Sequence, residues 1–227
     1  MLQAIVADLL KPNPGIVILR LKTESPFEFR PGQFIQVLIE KEGKIIRKPY
    51  SVFSPPSSKK YLEICVKVVE GGYASNYLAA LKPGQQLGVE GPFGHFTLHG
   101  EINNDLVFMA AGAGISPFRS MVEEALTKTS HDVWLFFGVR AEADIIYRKE
   151  FEALAAENSS FHFIPVLSRS DSPGFERGYI QDAFKKLIKP ADQDIYVCGL
   201  HTMVDEVRQV CRGLGYREEK IHFEKYI

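Results

Sequence analysis

The sequence predicts two domains in tandem: an N-terminal antiparallel β-barrel of Greek-key type over residues 1–100, and an α/β domain with a parallel sheet over 101–227. Up to about residue 100, short β-branched or alternating runs are separated by Pro- and Gly-rich turns. Beyond it, apolar runs alternate with stretches of helical period, as β-α-β units require. The chain has 227 residues, enough for two modest domains with cores of their own.

In the first half, residues 16–21, 34–39 and 61–69 read as strands, and only 74–81 reads as helix. Turns are expected at Pro12 to Gly15, at Arg30, Pro31 and Gly32, at Ser54 to Ser58, and at Lys82, Pro83 and Gly84. In the second half, residues 106–111, 133–137, 161–166 and 195–198 are near-continuous apolar strands, suited to a sheet covered on both faces. Helices are expected from Ser116, near Arg148 and after His201. In the last of these Met203, Val204, Val207, Val210 and Leu214 recur at helical spacing and form one buried face.

Bulk properties exclude several classes of function. Lys and Arg total 27 against 28 for Asp and Glu, so no global field draws the chain to nucleic acid or to an anionic membrane. Any phosphate site must be local. Cys65, Cys198 and Cys211 are widely separated and form no C-x-x-C pair, which argues against a disulfide framework, a zinc site or an iron–sulfur cluster. No apolar run is long enough to span a bilayer and no basic leader precedes the first apolar residues, so a soluble, cytoplasmic protein without membrane insertion is expected.

Three segments combine residues that can carry chemistry. Gly112, Ala113, Gly114, Ile115, Ser116 and Pro117 lie between an apolar strand and a helix; the glycines permit a sharp turn and close approach, Ser116 can cap the helix and Pro117 suits its first turn. Such an amide-rich helix start attracts phosphate, although strand-to-helix turns also use Gly for geometry alone. Arg47, Lys48, Pro49, Tyr50 and Ser51 place a guanidinium, an aromatic plane and a hydroxyl together, fit either for a flat phosphorylated heterocycle or for a polar edge strand. Gly72, Tyr73, Ala74 and Ser75 begin a second helix, as a phosphate site or as a plain capped loop.

In this order the segments resemble the ferredoxin–NADP⁺ reductase superfamily over essentially the whole chain. Arg47, Tyr50 and Ser51 are similar to its R-x-Y-S flavin segment with one residue inserted, Lys48 or Pro49. The resemblance implies Arg47 on the flavin diphosphate, Tyr50 against the isoalloxazine ring and Ser51 near flavin N5. Ile64, Cys65, Val66 and Lys67 resemble the strand whose backbone lies along the flavin, Gly72 to Ser75 the G-x-x-S diphosphate segment, and Gly91, Pro92, Phe93 and Gly94 the turn closing the barrel. Gly112 to Pro117 resemble the G-T-G-x-x-P nucleotide loop, with Ala113 lacking the usual hydroxyl. Cys198, Gly199 and Met203 resemble the segment beside the nicotinamide, though a lone cysteine at a strand end is also an ordinary buried hydrophobe. Glu224 and Tyr226 resemble the terminal acidic and aromatic residues, the aromatic implied to cover the flavin until nicotinamide displaces it, with Ile227 following.

The resemblance implies an oxidoreductase that moves hydride between NAD(P)H and bound FAD, with Ser51, Cys198 and Glu224 as the catalytic residues. Electrons would then leave singly for ferredoxin, flavodoxin or a small-molecule acceptor. Ser168 and Arg169, then Arg177, Tyr179 and Gln181, resemble segments that hold a 2′-phosphate and stack adenine, so NADP(H) is favoured over NAD(H). Two other readings stay open: a reductase for which free flavin is the substrate, and an electron-transfer subunit of a larger oxygenase- or hydrogenase-type complex.

Overall fold

The structure is a computed structural model that describes residues 2–58 and 60–226; Ile227 lies outside the described residues. In the first half, β1 (Leu2–Asn13), β2 (Ile16–Thr23), β3 (Phe34–Lys41), β4 (Lys44–Ser51), β5 (Leu62–Lys67), the short helix α1 (Tyr73–Ala79) and β6 (Gln86–Phe93) follow in order. The strands form one antiparallel sheet in the order β4-β3-β6-β1-β2-β5. A bridge between Val52 and Ile64, supported by the Phe53 amide donating to the Glu63 carbonyl at 2.8 Å, joins the two edges into a barrel.

Alternation along the strands builds the barrel core. Val17, Leu19 and Leu21 of β2, Ile35, Val37 and Ile39 of β3, and Leu62, Ile64 and Val66 of β5 pack together with Ala4, Val6 and Val89. The helix expected over 74–81 runs from Tyr73 to Ala79. Gly91, Pro92 and Phe93 are not a free turn but the end of β6, where Phe93 pairs with Phe34 of β3.

In the second half, β7 (Leu106–Ala111), α2 (Ser116–Lys128), β8 (Val133–Val139), α3 (Arg148–Glu157), β9 (Phe161–Leu167), β10 (Glu176–Arg177), α4 (Ile180–Leu187), β11 (Asp194–Leu200), α5 (His201–Gly213) and β12 (Ile221–Tyr226) alternate. All neighbours in the sheet order β10-β9-β8-β7-β11-β12 are parallel. From β7 the chain proceeds outward through β8 and β9, then returns to the other side of β7 as β11. That reversal is a topological switch point, where open parallel sheets place ligands at the carboxyl ends of their strands. Val204, Val207 and Cys211 of α5 are buried against Val107, Met109 and Val197 of the sheet, and Met203, Val210 and Leu214 pack beside them. No helix of the described residues is long and apolar enough to cross a membrane.

Contacts divide the chain into two compact units. The first runs up to Leu98 and includes Ser116–Glu124, the beginning of α2; the second comprises His99–Ile115 and the chain from Ala125 onward. Within the first unit, the Phe118 ring of α2 sits 5.9 Å from Phe96, and the Ser120 hydroxyl accepts from the Gly32 amide at 3.3 Å.

Candidate functional site

In the first unit the expected flavin residues lie on the two edge strands. Arg47, Pro49, Tyr50 and Ser51 are all on β4, and the register with β3 sorts them by face. Tyr50 opposes Ile35 and packs against the barrel core, half-buried, with its hydroxyl pKa raised by that burial. Arg47 opposes Leu38 and Pro49 opposes Gln36, on the other face. There Arg47 donates through Nε to Glu90 of β6 at 3.1 Å, and holds the Glu90 carboxyl below its ordinary value.

Strand side chains alternate, so residues three apart point to opposite faces. Arg47 therefore does not share a face with Tyr50. The cation that does is Lys48, opposite Val37, exposed and without an ion pair to any described residue. Lys48, Pro49, Tyr50 and Ser51 fit the R-x-Y-S spacing with no insertion, Lys standing where Arg was expected.

On β5, Ile64 and Val66 face the barrel core, while Glu63 and Cys65 face away from it. Cys65 is buried and hydrogen-bonded with Ser116; burial pushes its thiol up to about 12, so it stays protonated at neutral pH. What β5 can offer a ligand past Ile64 is thus its strand edge and the exposed Lys67. At the α1 start, Gly72 is the N-cap residue. The Ser75 hydroxyl is used inside that turn: it accepts from the Val69 amide at 3.1 Å and donates to the Gly72 carbonyl at 3.3 Å. Tyr73 donates to the Glu40 carbonyl at 2.8 Å, tying Ala74 and the rest of the turn to the end of β3.

In the second unit the expected nucleotide residues converge on the carboxyl ends of the parallel strands. Gly112, Ala113, Gly114 and Ile115 form a 3-10 turn directly after β7. Gly112 has φ of 54°, a left-handed conformation that glycine adopts without penalty. At Gly114 a Cβ would lie 2.1 Å from the Cys198 carbonyl oxygen, so only glycine lets the turn press against β11. This contact bridges β7 and β11 at the switch point. Ser116 does not cap α2 as expected: the 3-10 turn runs straight into the helix, Ile115 takes the cap position in helical conformation, and Ser116 and Pro117 begin the first turn.

Cys198 is fully buried and opposes Glu224 of β12 in register. Burial raises the Cys198 thiol well above its ordinary value, the Glu224 charge adds to this, and a hydrogen bond with Tyr226 works against it. Gly199 follows, where an added Cβ would stand 2.4 Å from the Met203 methyl carbon. Ser168 donates to the Val139 carbonyl at 3.2 Å, and the Arg169 amide donates to the Arg140 carbonyl at 2.9 Å. Arg140 and Arg169 are both exposed, with no ion pair to a described residue. Arg177 pairs with Asp171 at 3.1 Å, both exposed; Tyr179 is 63% exposed, and Gln181 bonds Glu206 at 3.2 Å.

Two family models match the chain in this order: an oxidoreductase FAD-binding domain over residues 6–98 and an oxidoreductase NAD-binding domain over 108–209. Ferredoxin–NADP reductase B of Sorangium cellulosum is 36% identical over 211 residues, covering 88% of this chain and 86% of the relative. The chain belongs to the ferredoxin–NADP reductase family. It is an FAD-dependent oxidoreductase that uses a pyridine nucleotide. The reductase component of phenol 2-monooxygenase from a Pseudomonas species is 30% identical, and this chain spans 59% of its length. Among solved structures, the Amycolatopsis cytochrome P450 reductase superposes with a TM-score of 0.92 at 27% identity, over 99% of this chain and 69% of that one. A ferredoxin NADP⁺ reductase from Neisseria gonorrhoeae with bound FAD and NADP gives 0.87 at 22% identity, over 98% and 97% of the two chains.

For this reductase-family chain the donor sets suit both groups. The first unit offers an exposed ammonium and a half-buried aromatic face on one side of β4, beside a free strand edge; the second offers a glycine turn whose close approach a Cβ would block. The sequence alone shows neither the face of β4 on which Lys48 lies, because phase is invisible until register is known, nor the nearness of Arg140 to Arg169, which arises from the pairing of β8 with β9. Glu63 and Arg119 are likewise far apart in the chain and joined by a hydrogen-bonded ion pair in the first unit.

Proposed function

We propose that the chain oxidises NADPH through bound FAD and passes the electrons to a ferredoxin- or flavodoxin-type protein. The observation that carries this reading is the similarity running over 86% of a ferredoxin–NADP reductase. The flavin, when bound, accepts hydride from the nicotinamide and can release electrons singly. The residues supply grip, orientation and a water-poor setting.

In this reading Lys48 neutralises the flavin diphosphate, Tyr50 stacks on the ring system, Ser51 hydrogen-bonds near N5, and the edge formed by Ile64, Cys65, Val66 and Lys67 lies alongside. The turn at Gly72, Tyr73, Ala74 and Ser75 presents amides to phosphate. Gly112, Ala113, Gly114, Ile115 and Pro117 cradle the nucleotide pyrophosphate; Ser168, Arg169 and Arg177, aided by Arg140, hold the 2′-phosphate; Tyr179 stacks adenine, and Gln181 steadies that end. Cys198, Gly199 and Met203 border the nicotinamide. Cys198 acts as a neutral thiol, since burial and the Glu224 charge keep its proton on, and the hydrogen bond with Tyr226 orients it. Three free, buried cysteines suit a reducing, cytoplasmic setting.

Lys48 and Arg47 make opposite predictions. Lys48→Met weakens FAD binding about ten- to a hundredfold, the loss of one charge-assisted phosphate contact, whereas Arg47→Met changes it by less than about threefold. Equilibrium dialysis of each variant against FAD measures both. The reverse ranking would return the diphosphate to Arg47.

Steady-state turnover with ferricyanide as acceptor tests the choice of nucleotide. NADPH should be used at least about tenfold more efficiently than NADH, and Arg169→Ala should cost NADPH about tenfold or more in kcat/KM and NADH far less. Equal efficiency of the two reductants in the parent protein would reject the preference.

A second reading has support of its own: the 30% identity to an oxygenase reductase component and the TM-score of 0.92 to a cytochrome P450 reductase favour an electron-transfer partner of an oxygenase. Faster turnover with a purified ferredoxin than with any oxygenase component separates it from the first.

A further inference from the structure

Arg148 opens α3 directly after Tyr147, whose backbone is left-handed with φ of 53°. A non-glycine residue in that conformation costs about 1 kcal/mol or more and persists only where its surroundings hold it. The Arg148 side chain is held on three sides. Its Nε donates to Glu152 one helical turn on, at 2.5 Å; its Nη1 donates to Glu142, in the 3-10 turn after β8; and its guanidinium carbon lies 4.9 Å from the centre of the Phe175 ring.

The partners matter through where they sit in the chain. Glu142 is two residues beyond Arg140 in the loop after β8, and Phe175 is two residues before Arg177 in the loop after β9. One guanidinium thus ties the loop after β8, which carries Arg140, to the loop after β9, which carries Arg169 and leads into Arg177 on β10. Arg140 and Arg169, joined through their backbones, have no acid in an ion pair with them among the described residues. Surface pairs such as Arg148 with Glu142 and Glu152 contribute only about 0–1 kcal/mol to stability, so folding is a poor account of this arrangement.

We propose that Arg148, bound to Glu142 and stacked on Phe175, is a positioning residue that presets these two loops for the phosphate-bearing end of NADPH and thereby sets the discrimination between NADPH and NADH. The inference rests on the reading of Arg169 and Arg177 as 2′-phosphate contacts. Loops ordered in advance spend less of the binding energy on their own ordering. NADH carries no phosphate at that end and gains less from the same order.

The test uses the FAD-loaded enzyme with ferricyanide and each nucleotide in turn. Phe175→Ala and Arg148→Met each raise KM for NADPH about five- to tenfold while kcat stays within about twofold, and they lower the NADPH-to-NADH efficiency ratio by the same factor. Phe175→Tyr, which restores an aromatic face, restores the ratio. Unchanged flavin absorbance in each variant establishes that the fold is intact, and Phe175→Ala carries the test if Arg148→Met does not fold. Equal losses with both nucleotides would mean a merely structural role and overturn the proposal. So would clamp variants that keep the ratio within about twofold while Arg169→Ala collapses it. If Arg169→Ala itself leaves the ratio unmoved, the phosphate reading fails, and the clamp falls with it.

Discussion

Replacing Arg119 by Met lowers the thermal midpoint by about 6–12 °C, the equivalent of roughly 3 kcal/mol in a chain of this size. Glu63, on β5, is fully buried, with its carboxylate between two guanidinium groups. Arg20 donates to it through Nε at 2.8 Å, and Arg119 donates through Nη1, which also reaches the Phe53 carbonyl at 3.1 Å. The Arg119 guanidinium lies 5.0 Å over the Phe53 ring as well. Methionine fills much of the same volume but removes this donor from the Phe53 carbonyl and one guanidinium from the buried carboxylate. Breaking one side of a buried pair is expensive because the remaining charge stays out of water. Adding Glu63→Leu should recover most of the loss, since apolar residues of similar volume often replace a buried ion pair at little cost. Calorimetry on both variants checks this. A single variant as stable as the parent would remove the network from the list of what holds α2 to the barrel.

Gly114→Ala should reduce kcat/KM for NADPH by about a hundredfold or more while the protein keeps its FAD. The new Cβ would stand 2.1 Å from the Cys198 carbonyl oxygen and 2.6 Å from its carbon, both main-chain atoms of a strand hydrogen-bonded on each side. No side-chain rotation relieves that overlap. Either the 3-10 turn or the end of β11 must move, and both belong to the proposed nucleotide site. A displacement of about 1 Å in a group that positions substrate is enough for a hundredfold loss. Steady-state kinetics together with the ratio of flavin to protein measures it. Activity within a few-fold of the parent would show that the nucleotide does not depend on this turn.

Much of the fold was legible because burial leaves a period. The helix α5 announced itself through Val204, Val207 and Val210, β2, β3 and β5 through β-branched or alternating runs, and β7, β8, β9 and β11 through apolar ones. Three strands of the first unit did not, nor did β10 and β12. β1 carries Pro12 and register shifts at Val6/Asp8 and Leu10/Asn13; β4 is a largely exposed edge of Lys, Arg and Pro; β6 is interrupted by Gly88, Gly91 and Pro92. In each, the partner strand supplies what the local sequence lacks.

For the candidate site the sequence offers motifs, and the strand register adds the face on which each residue lies. Arg47 and Lys48 are neighbours in sequence, yet a one-residue shift in a strand reverses the face a side chain takes, and only the pairing with Leu38 and Val37 shows that Lys48 shares the face of Tyr50. Ser116 looked like a cap because a hydroxyl before Pro usually is one, but the turn ahead of it is already helical. The Glu63–Arg119 pair spans the barrel and α2 and leaves no local signal at all.

Every role proposed for these residues requires that the chain hold FAD in a form that a pyridine nucleotide can reduce. An absorbance spectrum of the purified protein, taken before and after anaerobic NADPH and followed by extraction of the chromophore, tests it directly. The protein should be yellow, its visible band should bleach on addition of NADPH, and its extract should be FAD. A protein that remains colourless after incubation with FAD, or a bound flavin that neither NADPH nor NADH bleaches, would contradict it.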